Sequence, residues 1–137
     1  MTLLQTLNTT DRFAAANGIQ LTEISAGHAK AEMTVRDHHL NGGGVCQGGA
    51  IFTLADLAFA AVSNSCGLLT LGIGNTINFL HSAHLGDHLT AEAIEVCNHP
   101  RLPYCEIKVR NQEGTLIATA TGQAYRKKDP FPFDSLM

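Results

Sequence analysis

The sequence is short of charge. Asp, Glu, Lys and Arg make up 15% of its 137 residues, against roughly a quarter in an average soluble domain. The net charge is −3, and no basic run is longer than Arg126–Lys128. A nucleic-acid partner needs a clustered basic face, so this composition argues against one. A surface so poor in charge instead predicts that part of it is covered by another subunit, although a surface rich in His, Asn, Gln and Thr would also explain the low charge.

The sequence also lacks segments that would place it in a membrane or outside the cell. The longest uncharged stretch, residues 57–86, is interrupted by polar residues and is not a bilayer span. The first residues, MTLLQTLNTTDRF, contain no basic region and no long apolar run, so no signal peptide is expected and the expected location is the cytoplasm. Without a C-x-x-C pair, the four cysteines are expected to be free thiols packed as small apolar groups.

The periodic segments of the sequence predict one domain over residues 1–137. A short helix is expected over residues 2–16, a long apolar helix over residues 48–65 and an irregular tail over residues 127–137. Strands are expected at residues 19–25, 28–35, 70–80, 88–98, 102–110 and 116–126. The last three strands read as an antiparallel meander. An antiparallel sheet wrapped around one central helix satisfies this order, which predicts an α+β fold.

One carboxylate, Asp56, lies in the middle of the long helix. It is the only Asp, Glu, Lys or Arg between Asp37 and Asp87. Burying an unpaired carboxylate costs on the order of several kcal/mol. If Asp56 faces a wet edge it needs no further explanation. In a cleft walled by apolar groups it would be suited to act as a general base or a nucleophile.

A glycine pair, Gly48–Gly49, stands where the long helix is predicted to begin. The first N–H groups of a helix have no intrahelical partner and point outwards with the positive end of the dipole. Glycine lets a ligand approach them closely, which suits a carbonyl oxygen that becomes an oxyanion. A simple chain turn explains the glycines equally well, because glycine-rich loops before helices are common.

Gly48 and Asp56 are separated by eight residues, which is about 12 Å along a helix. One subunit cannot easily bring both to the same carbonyl group. Two antiparallel helices in a two-fold dimer would place Gly48 of one copy beside Asp56 of the other. The same arrangement would explain the low charge.

The stretch LNGGGVCQGGAIFTLADLAFAAVSNS, residues 40–65, resembles the signature of hotdog-fold acyl-CoA thioesterases of the phenylacetic-acid-degradation (PaaI-like, 4-hydroxybenzoyl-CoA thioesterase) type. INFLHSAHLGDHLTAEA is similar to the strand and Gly-Asp turn that follow, and the similarity covers roughly residues 11–126. It implies a hotdog fold and hydrolysis of an acyl-CoA thioester. It also implies a homodimer or dimer of dimers, with no metal and no cofactor beyond the coenzyme A of the substrate. The acyl group stays open: Phe52, Leu54, Phe59 and Phe79 would suit a pocket for an arylacetyl or medium-chain group, and they would suit the core equally well.

The resemblance implies roles for individual residues. The Gly48 N–H would polarise the thioester carbonyl, and Asp56 of the facing subunit would activate water or attack directly. Asn41 would hold the water or the carboxylate. Gln47 stands where the family usually has histidine, so it keeps an N–H donor but cannot carry a proton. The predicted substrate-binding residues are Gly49, Phe52, Asn75, Thr76 and Arg101.

Two further positions depart from the family pattern. A Ser or Thr that some relatives carry on the next strand falls on Gly72, so Asn75 or Thr76 would have to take its place. The basic residue that often precedes the Gly-Asp turn is His84 here. That leaves Arg101 and Arg126–Lys127 as candidates for contacts with coenzyme A phosphates.

Two other functions stay open. A hotdog dehydratase would pair an acidic residue with a histidine four residues later, but Ala60 follows Asp56 at that distance. A non-catalytic module that binds an acyl-CoA-like ligand is supported by Gln47 and by the scarcity of basic residues.

Overall fold

The computed structural model describes all 137 residues. One curved sheet wraps around one long helix, with the strands in the order β1-β2-β4-β5-β6-β3 and every neighbouring pair antiparallel. The predicted architecture is therefore confirmed. The elements are α1 (Leu3–Thr10), α2 (Arg12–Ala16), β1 (Gln20–Ser25), β2 (His28–Thr34), a 3-10 turn (Asp37–His39), α3 (Gly48–Asn64), β3 (Leu68–Phe79), β4 (His88–Cys97), β5 (Tyr104–Arg110) and β6 (Leu116–Pro130).

Small side chains let the sheet come close to α3. Alternate residues of a strand point to the same face, and the α3 face of β2, β4 and β6 is rich in alanine. Leu54 of α3 is fully buried against this face, and a side chain of that size contributes about 1.5–3 kcal/mol by burial. The alanines of the α3 face are Ala29, Ala31, Ala91, Ala93, Ala118, Ala120 and Ala124.

The helix predicted over residues 2–16 is two helices that meet at Asp11. The Asp11 N–H closes α1 by donating to the Leu7 carbonyl at 3.0 Å. Its carboxylate then accepts from the Ala14 N–H at 3.0 Å and begins α2. Aspartate favours such a break because its side chain satisfies the free N–H groups of a new helix.

The prediction of an irregular tail over residues 127–137 is wrong for its first four residues. β6 continues to Pro130 because it pairs with the start of β3, where Leu68 lies opposite Pro130. The remaining seven residues dock on α1, where the Leu3 N–H donates to the Ser135 carbonyl at 2.8 Å. Phe131 packs against the core of the same chain.

The long apolar helix predicted from the sequence would be expected to be buried on every side, and this is wrong for the single chain. One stripe of the helix keeps partial or full exposure, and Asp56 lies on it with an exposed side chain. We call this surface the open stripe; its residues are Gly49, Phe52, Thr53, Asp56 and Ala60.

The four cysteines fall into two classes, and none forms a disulfide. Burial raises the pKa of Cys46 to about 11, and burial with the nearby Glu95 raises that of Cys105 to about 12. The expected apolar packing is thus confirmed for these two. It is wrong for Cys66 and Cys97, which are exposed because they lie just beyond α3 and at the end of β4. No helix has both the length and the apolar character needed to cross a membrane.

Candidate active site

The N-terminus of α3 presents free backbone donors. Gln47 is the residue before the helix, and its N–H donates to the His39 carbonyl at 2.8 Å. The N–H groups of Gly48 and Gly49 then find no acceptor within the chain. They point along the positive end of a 17-residue helix, which favours a partial negative charge on a ligand oxygen.

His39 fixes the loop that leads to this end of α3. Its ring is buried, with Nδ1 accepting from the Arg36 N–H at 2.9 Å and Nε2 donating to the Asn17 carbonyl at 2.8 Å. Burial lowers the pKa of His39, and the hydrogen bond that Nδ1 accepts fits a neutral ring. The loop is therefore fastened to the end of α2, and the backbone before Gly48 is held in one place.

Phe79 shapes the space beside Gly48. A β-carbon at position 48 would lie 2.9 Å from Cζ of the Phe79 ring, so only glycine allows this contact. A cavity of about 400 Å³ opens next to the two residues. Its other lining residues are Asn41, Val45, Cys46, Ile51, Leu80, His81, Ser82 and Ala83.

Asn41 lies in the Gly48 cavity, but half of its side chain is already used. Its Oδ1 accepts from the N–H groups of Gly43 at 2.8 Å and Val45 at 3.2 Å, which holds the glycine loop. Its Nδ2 remains available as a donor. Asn41 can therefore act only as a donor, to a carbonyl or carboxylate oxygen. Its predicted role of holding the water or the carboxylate is limited to interactions in which Nδ2 donates.

Gln47 folds over the first turn of α3. Its Oε1 would be 2.5 Å from a β-carbon at position 49, so Gly49 leaves room for the carboxamide. The Gln47 side chain is exposed. A polar amide therefore lies beside the free N–H groups, in the place where the resemblance implies histidine.

Asp56 lines a second cavity, of about 280 Å³. Its carboxylate forms no ion pair, and its pKa is raised by the surrounding protein and, to a smaller extent, by the Asp11 carboxylate. Asp11 is the only other charged residue in the lining. The remaining walls are mostly apolar side chains of α1, α3, β3 and the tail: Leu7, Phe59, Ala60, Leu69, Leu71 and Phe131, with polar Thr10, Ser63, Asn64 and Thr70 and with Gly72.

The two candidates on β3 lie on opposite faces of the sheet. Asn75 faces α3, where its Oδ1 would be 2.8 Å from a β-carbon at Gly122, its partner on β6. Thr76 faces away from α3, in a groove with Glu106 and Lys108. Because successive strand residues alternate faces, Thr76 points away from α3 in this chain, which disfavours it as the replacement for a hydroxyl at Gly72. Its assignment to substrate binding stays a prediction.

The basic candidates lie at the far end of α3. Arg101 Nη1 donates to the Arg126 carbonyl at 3.0 Å. Arg126 is only 6% exposed, and its guanidinium donates to the Ser63 carbonyl, in the last turn of α3, at 3.3 Å. Arg126 is therefore committed to the helix end, and its prediction as a phosphate contact is wrong. Lys127 forms an ion pair with Asp129, with Nζ 3.8 Å from Oδ1. The assignments of Arg101 and Phe52 to substrate binding stay predictions.

The main candidate residues therefore lie in two separate places on one helix. Gly48 and Asp56 line separate cavities. The Asp56 cavity shares Asp56 and Ala60 with the open stripe, whereas the Gly48 cavity reaches only the neighbour of Gly49, the first residue of the stripe. Sequence reasoning missed His81 and Ser82 at the first cavity and Asp11 at the second. The capping of α2 by Asp11 could have been predicted, since aspartate is a typical helix cap, but the place of Asp11 beside Asp56 could not. No three His, Cys, Asp or Glu side chains converge as metal ligands.

Known proteins resemble this chain in sequence. Residues 43–118 match the family model of the thioesterase superfamily. A putative esterase of Archaeoglobus fulgidus is 44% identical over 113 residues, which are 82% of this chain and 73% of that protein. The acyl-coenzyme A thioesterase PaaI of Escherichia coli is 37% identical over 116 residues, 85% of this chain and 83% of that protein.

Solved structures resemble it too. The E. coli PaaI protein from the phenylacetic acid degradation operon superposes with a TM-score of 0.89 at 34% identity, covering 92% of this chain and 91% of that one. A hypothetical thioesterase of Streptococcus pneumoniae, solved with coenzyme A, superposes with a TM-score of 0.77 at 27% identity, covering 82% and 90%. Alanine variants of that protein at an aspartate, position 52, and a threonine, position 68, are also solved. With sequence and fold in agreement, this chain belongs to the thioesterase superfamily.

Proposed function

We propose that the chain hydrolyses acyl-CoA thioesters to a free acid and coenzyme A. The observation that carries the proposal is the pairing of free N–H donors at Gly48 and Gly49 with an unpaired carboxylate, Asp56, along the open stripe. The E. coli relative is an acyl-coenzyme A thioesterase, and the pneumococcal relative binds coenzyme A. Donors for an oxyanion and a base for water are what thioester hydrolysis requires.

The proposed site forms between two copies of the chain. β3 is an edge strand of 12 residues with large exposed apolar side chains, among them Leu71, Ile73 and Phe79. Proteins seldom leave such an edge uncovered. Antiparallel pairing of two β3 strands about a two-fold axis would cover it and bring the two open stripes together. Gly48 of one copy would then face Asp56 of the other.

In the proposed reaction, the thioester carbonyl oxygen accepts from the Gly48 N–H, with the Gly49 N–H and the Asn41 Nδ2 close by. Asp56 of the second copy takes a proton from water, and the water oxygen forms a bond to the carbonyl carbon. The negative charge that develops on the carbonyl oxygen is stabilised by the free donors. The C–S bond then breaks, and the coenzyme A thiolate leaves and recovers the proton from Asp56. Direct attack by Asp56 would instead form an acid anhydride, which water then hydrolyses.

The Asp56 cavity is proposed to hold the acyl group. Its volume of about 280 Å³ lies below the roughly 300–1,000 Å³ of pockets that enclose a whole drug-sized ligand. It therefore suits one part of the substrate. The apolar walls from Phe59, Leu71 and Phe131 favour an arylacetyl or medium-chain acyl group over a charged one.

The spacing of the pneumococcal variants adds support for the site. The aspartate and the threonine of that protein are sixteen positions apart, at 52 and 68. Asp56 and Gly72 have the same separation, and both line the Asp56 cavity. By this spacing, Gly72 stands where that relative carries a hydroxyl.

The experiment is an acyl-CoA panel, with phenylacetyl-CoA and medium-chain acyl-CoAs, assayed by release of free thiol. Asp56→Asn keeps the size of the side chain and removes the base, so we expect kcat to fall by about 10²–10⁴-fold. The melting temperature should be unchanged or higher, because the raised pKa means that the fold disfavours the ionised Asp56.

Asp129→Asn is the matched control, since Asp129 lies on the surface away from both cavities and pairs weakly with Lys127. It should keep wild-type turnover. Thiol release that survives Asp56→Asn unchanged would contradict the assignment. Tight acyl-CoA binding with no hydrolysis by the wild-type protein would favour the non-catalytic module instead.

A further inference from the structure

The wall that β3 presents to Asp56 has an unfilled position. Gly72 lines the Asp56 cavity, and its φ does not lie in the left-handed region, so the backbone does not require glycine there. A β-carbon at position 72 would meet Asn75 Nδ2 and Phe59 Cε2 at 3.5 Å each, an ordinary contact distance. Gly72 therefore leaves space in front of Asn75 that a small side chain could occupy.

Asn75 faces that space with an unused polar group. Its side chain lies on the α3 face of β3. A β-carbon at Gly72 or at Gly122 would lie close to both the Asn75 carboxamide and the Phe59 ring. Phe59 is three residues after Asp56 on α3. The carboxamide is exposed and forms no hydrogen bond within the chain. It thus offers a donor and an acceptor behind Gly72, which lines the cavity that holds the carboxylate.

Gly122 keeps the carboxamide in this position. A β-carbon at position 122 would lie 2.8 Å from Asn75 Oδ1 and 2.9 Å from Phe59 Cε2, closer than real side-chain contacts allow. Gly122 is buried in the middle of β6. The absence of a side chain there lets Asn75 settle against the sheet with Nδ2 directed towards Gly72.

We propose that Asn75 positions the water that Asp56 activates, an inference that rests on the proposed function. One proton of this water passes to Asp56, and one lone pair forms the bond to the carbonyl carbon. The second lone pair is free to accept a hydrogen bond from Asn75 Nδ2. The amide thereby fixes the direction from which the water attacks. Gly72 cannot do this, because it has no side chain.

The test is a kinetic comparison of Asn75→Ala with the double variant Asn75→Ala plus Gly72→Ser. We expect Asn75→Ala to lower kcat by about 10- to 100-fold with little change in KM, because the water loses its orientation while the acyl-CoA contacts remain. Gly72→Ser should restore most of kcat in the double variant, since a hydroxyl at position 72 can hold the same water. Asn78→Ala is the matched control, the same residue type on the opposite face of β3, and it should keep wild-type turnover.

A merely structural Asn75 would give a different pattern. Wild-type kcat in Asn75→Ala, or a slow variant that serine at position 72 does not restore, would overturn the inference. Asn75→Leu keeps the volume of the side chain and removes the carboxamide, so its kcat must be as low as that of Asn75→Ala. It replaces Asn75→Ala as the test if alanine destabilises β3. The Asp56→Asn variant distinguishes a failure of the Asn75 proposal from a failure of the proposed function. The variant stays inactive if only the Asn75 proposal fails, and it turns over normally if the proposed function fails.

Discussion

At the scale of single residues, Asp11 and Asp56 are two carboxylates in one cavity. Asp11 belongs to the turn between α1 and α2, and no basic side chain lines the cavity with them. The pKa of Asp56 is raised mainly because the surrounding protein removes water from part of the carboxylate, and also by the negative charge of Asp11. The N-terminal turn is therefore expected to tune the basicity of the proposed catalytic group.

Asp11→Asn should move the acidic limb of the pH–rate profile to lower pH. The base must be ionised to accept a proton, so kcat/KM falls as the pH drops through the pKa of Asp56. Removing the charge of Asp11 lowers that pKa and extends activity to more acidic solution. Asparagine caps helices as well as aspartate does, so α2 should persist.

The measurement is kcat/KM against pH for the wild type, Asp11→Asn and the control Asp129→Asn. An acidic limb that stays at the wild-type pH in Asp11→Asn would show that the two carboxylates do not interact. A displacement of equal size in Asp129→Asn would point to a general effect of net charge instead.

The sequence located most residues of the candidate site but not their surroundings. Gly48, Gly49 and Asp56 were predictable because helix ends and a lone carboxylate are local features. The difference between Asn75 and Thr76 depended on which face of β3 each occupies, and a bulge between Gly72 and Gly74 shifts that pairing. Asp11 came to Asp56 through the packing of the N-terminal turn, a tertiary contact that no local pattern contains.

At the scale of elements, periodicity placed α3 and all six strands close to their observed positions, because each carries an apolar face that must be buried. The largest error was the end of β6. Its last residues, Lys127–Pro130, are polar or contain proline, and they form strand only because β3 lies beside them. The break at Asp11 was missed for the opposite reason, since one cap residue outweighs a continuous helical pattern.

The C-terminal end of α3 is stabilised by a cation from another element. α3 has no basic residue in its last turn, and the buried Arg126 guanidinium of β6 donates to the Ser63 carbonyl and to Thr70 Oγ1. A positive charge is favourable beside the free carbonyl groups of a helix end. Arg126 thus joins α3, β3 and β6 at one point.

Arg126→Met should lower the free energy of unfolding by about 1–3 kcal/mol, because buried carbonyl and hydroxyl groups lose their donor. Arg126→Lys keeps the charge and should lose less. Urea denaturation of both variants checks this order, with Lys127→Met on the neighbouring outer face as the control. Equal stability of wild type and Arg126→Met would mean that the cost of burying the guanidinium cancels its bonds.

At the scale of the whole molecule, the central question is whether Gly48 and Asp56 act across two copies. Mixed dimers answer it. Asp56→Asn removes the base, and Gly48→Pro removes the N–H at a helix position that tolerates proline. Each variant alone should be inactive. Since a β-carbon at position 48 would crowd Phe79, the folding of Gly48→Pro is checked by its melting temperature.

When the two variants are unfolded and refolded together, each heterodimer regains one complete site. Random pairing should restore about a quarter of the wild-type sites. Recovery of turnover on mixing would establish the cross-subunit site, whereas a mixture as inactive as its parts would place both groups in one chain. Size-exclusion chromatography at the assay concentration checks that the dimer is present.

The strand order determines when β3 can pair during folding. β3 follows α3 directly in the chain, yet its only partner in the sheet is β6, and Thr70 lies opposite Arg126, 56 residues later. Pairings this distant in sequence form slowly, because the loop between them must close first. During synthesis, β3 is therefore expected to have no partner strand until β6 has been made. The edge proposed to join two copies is thus among the last parts of the molecule to take shape, so each copy completes its sheet before it can meet the other.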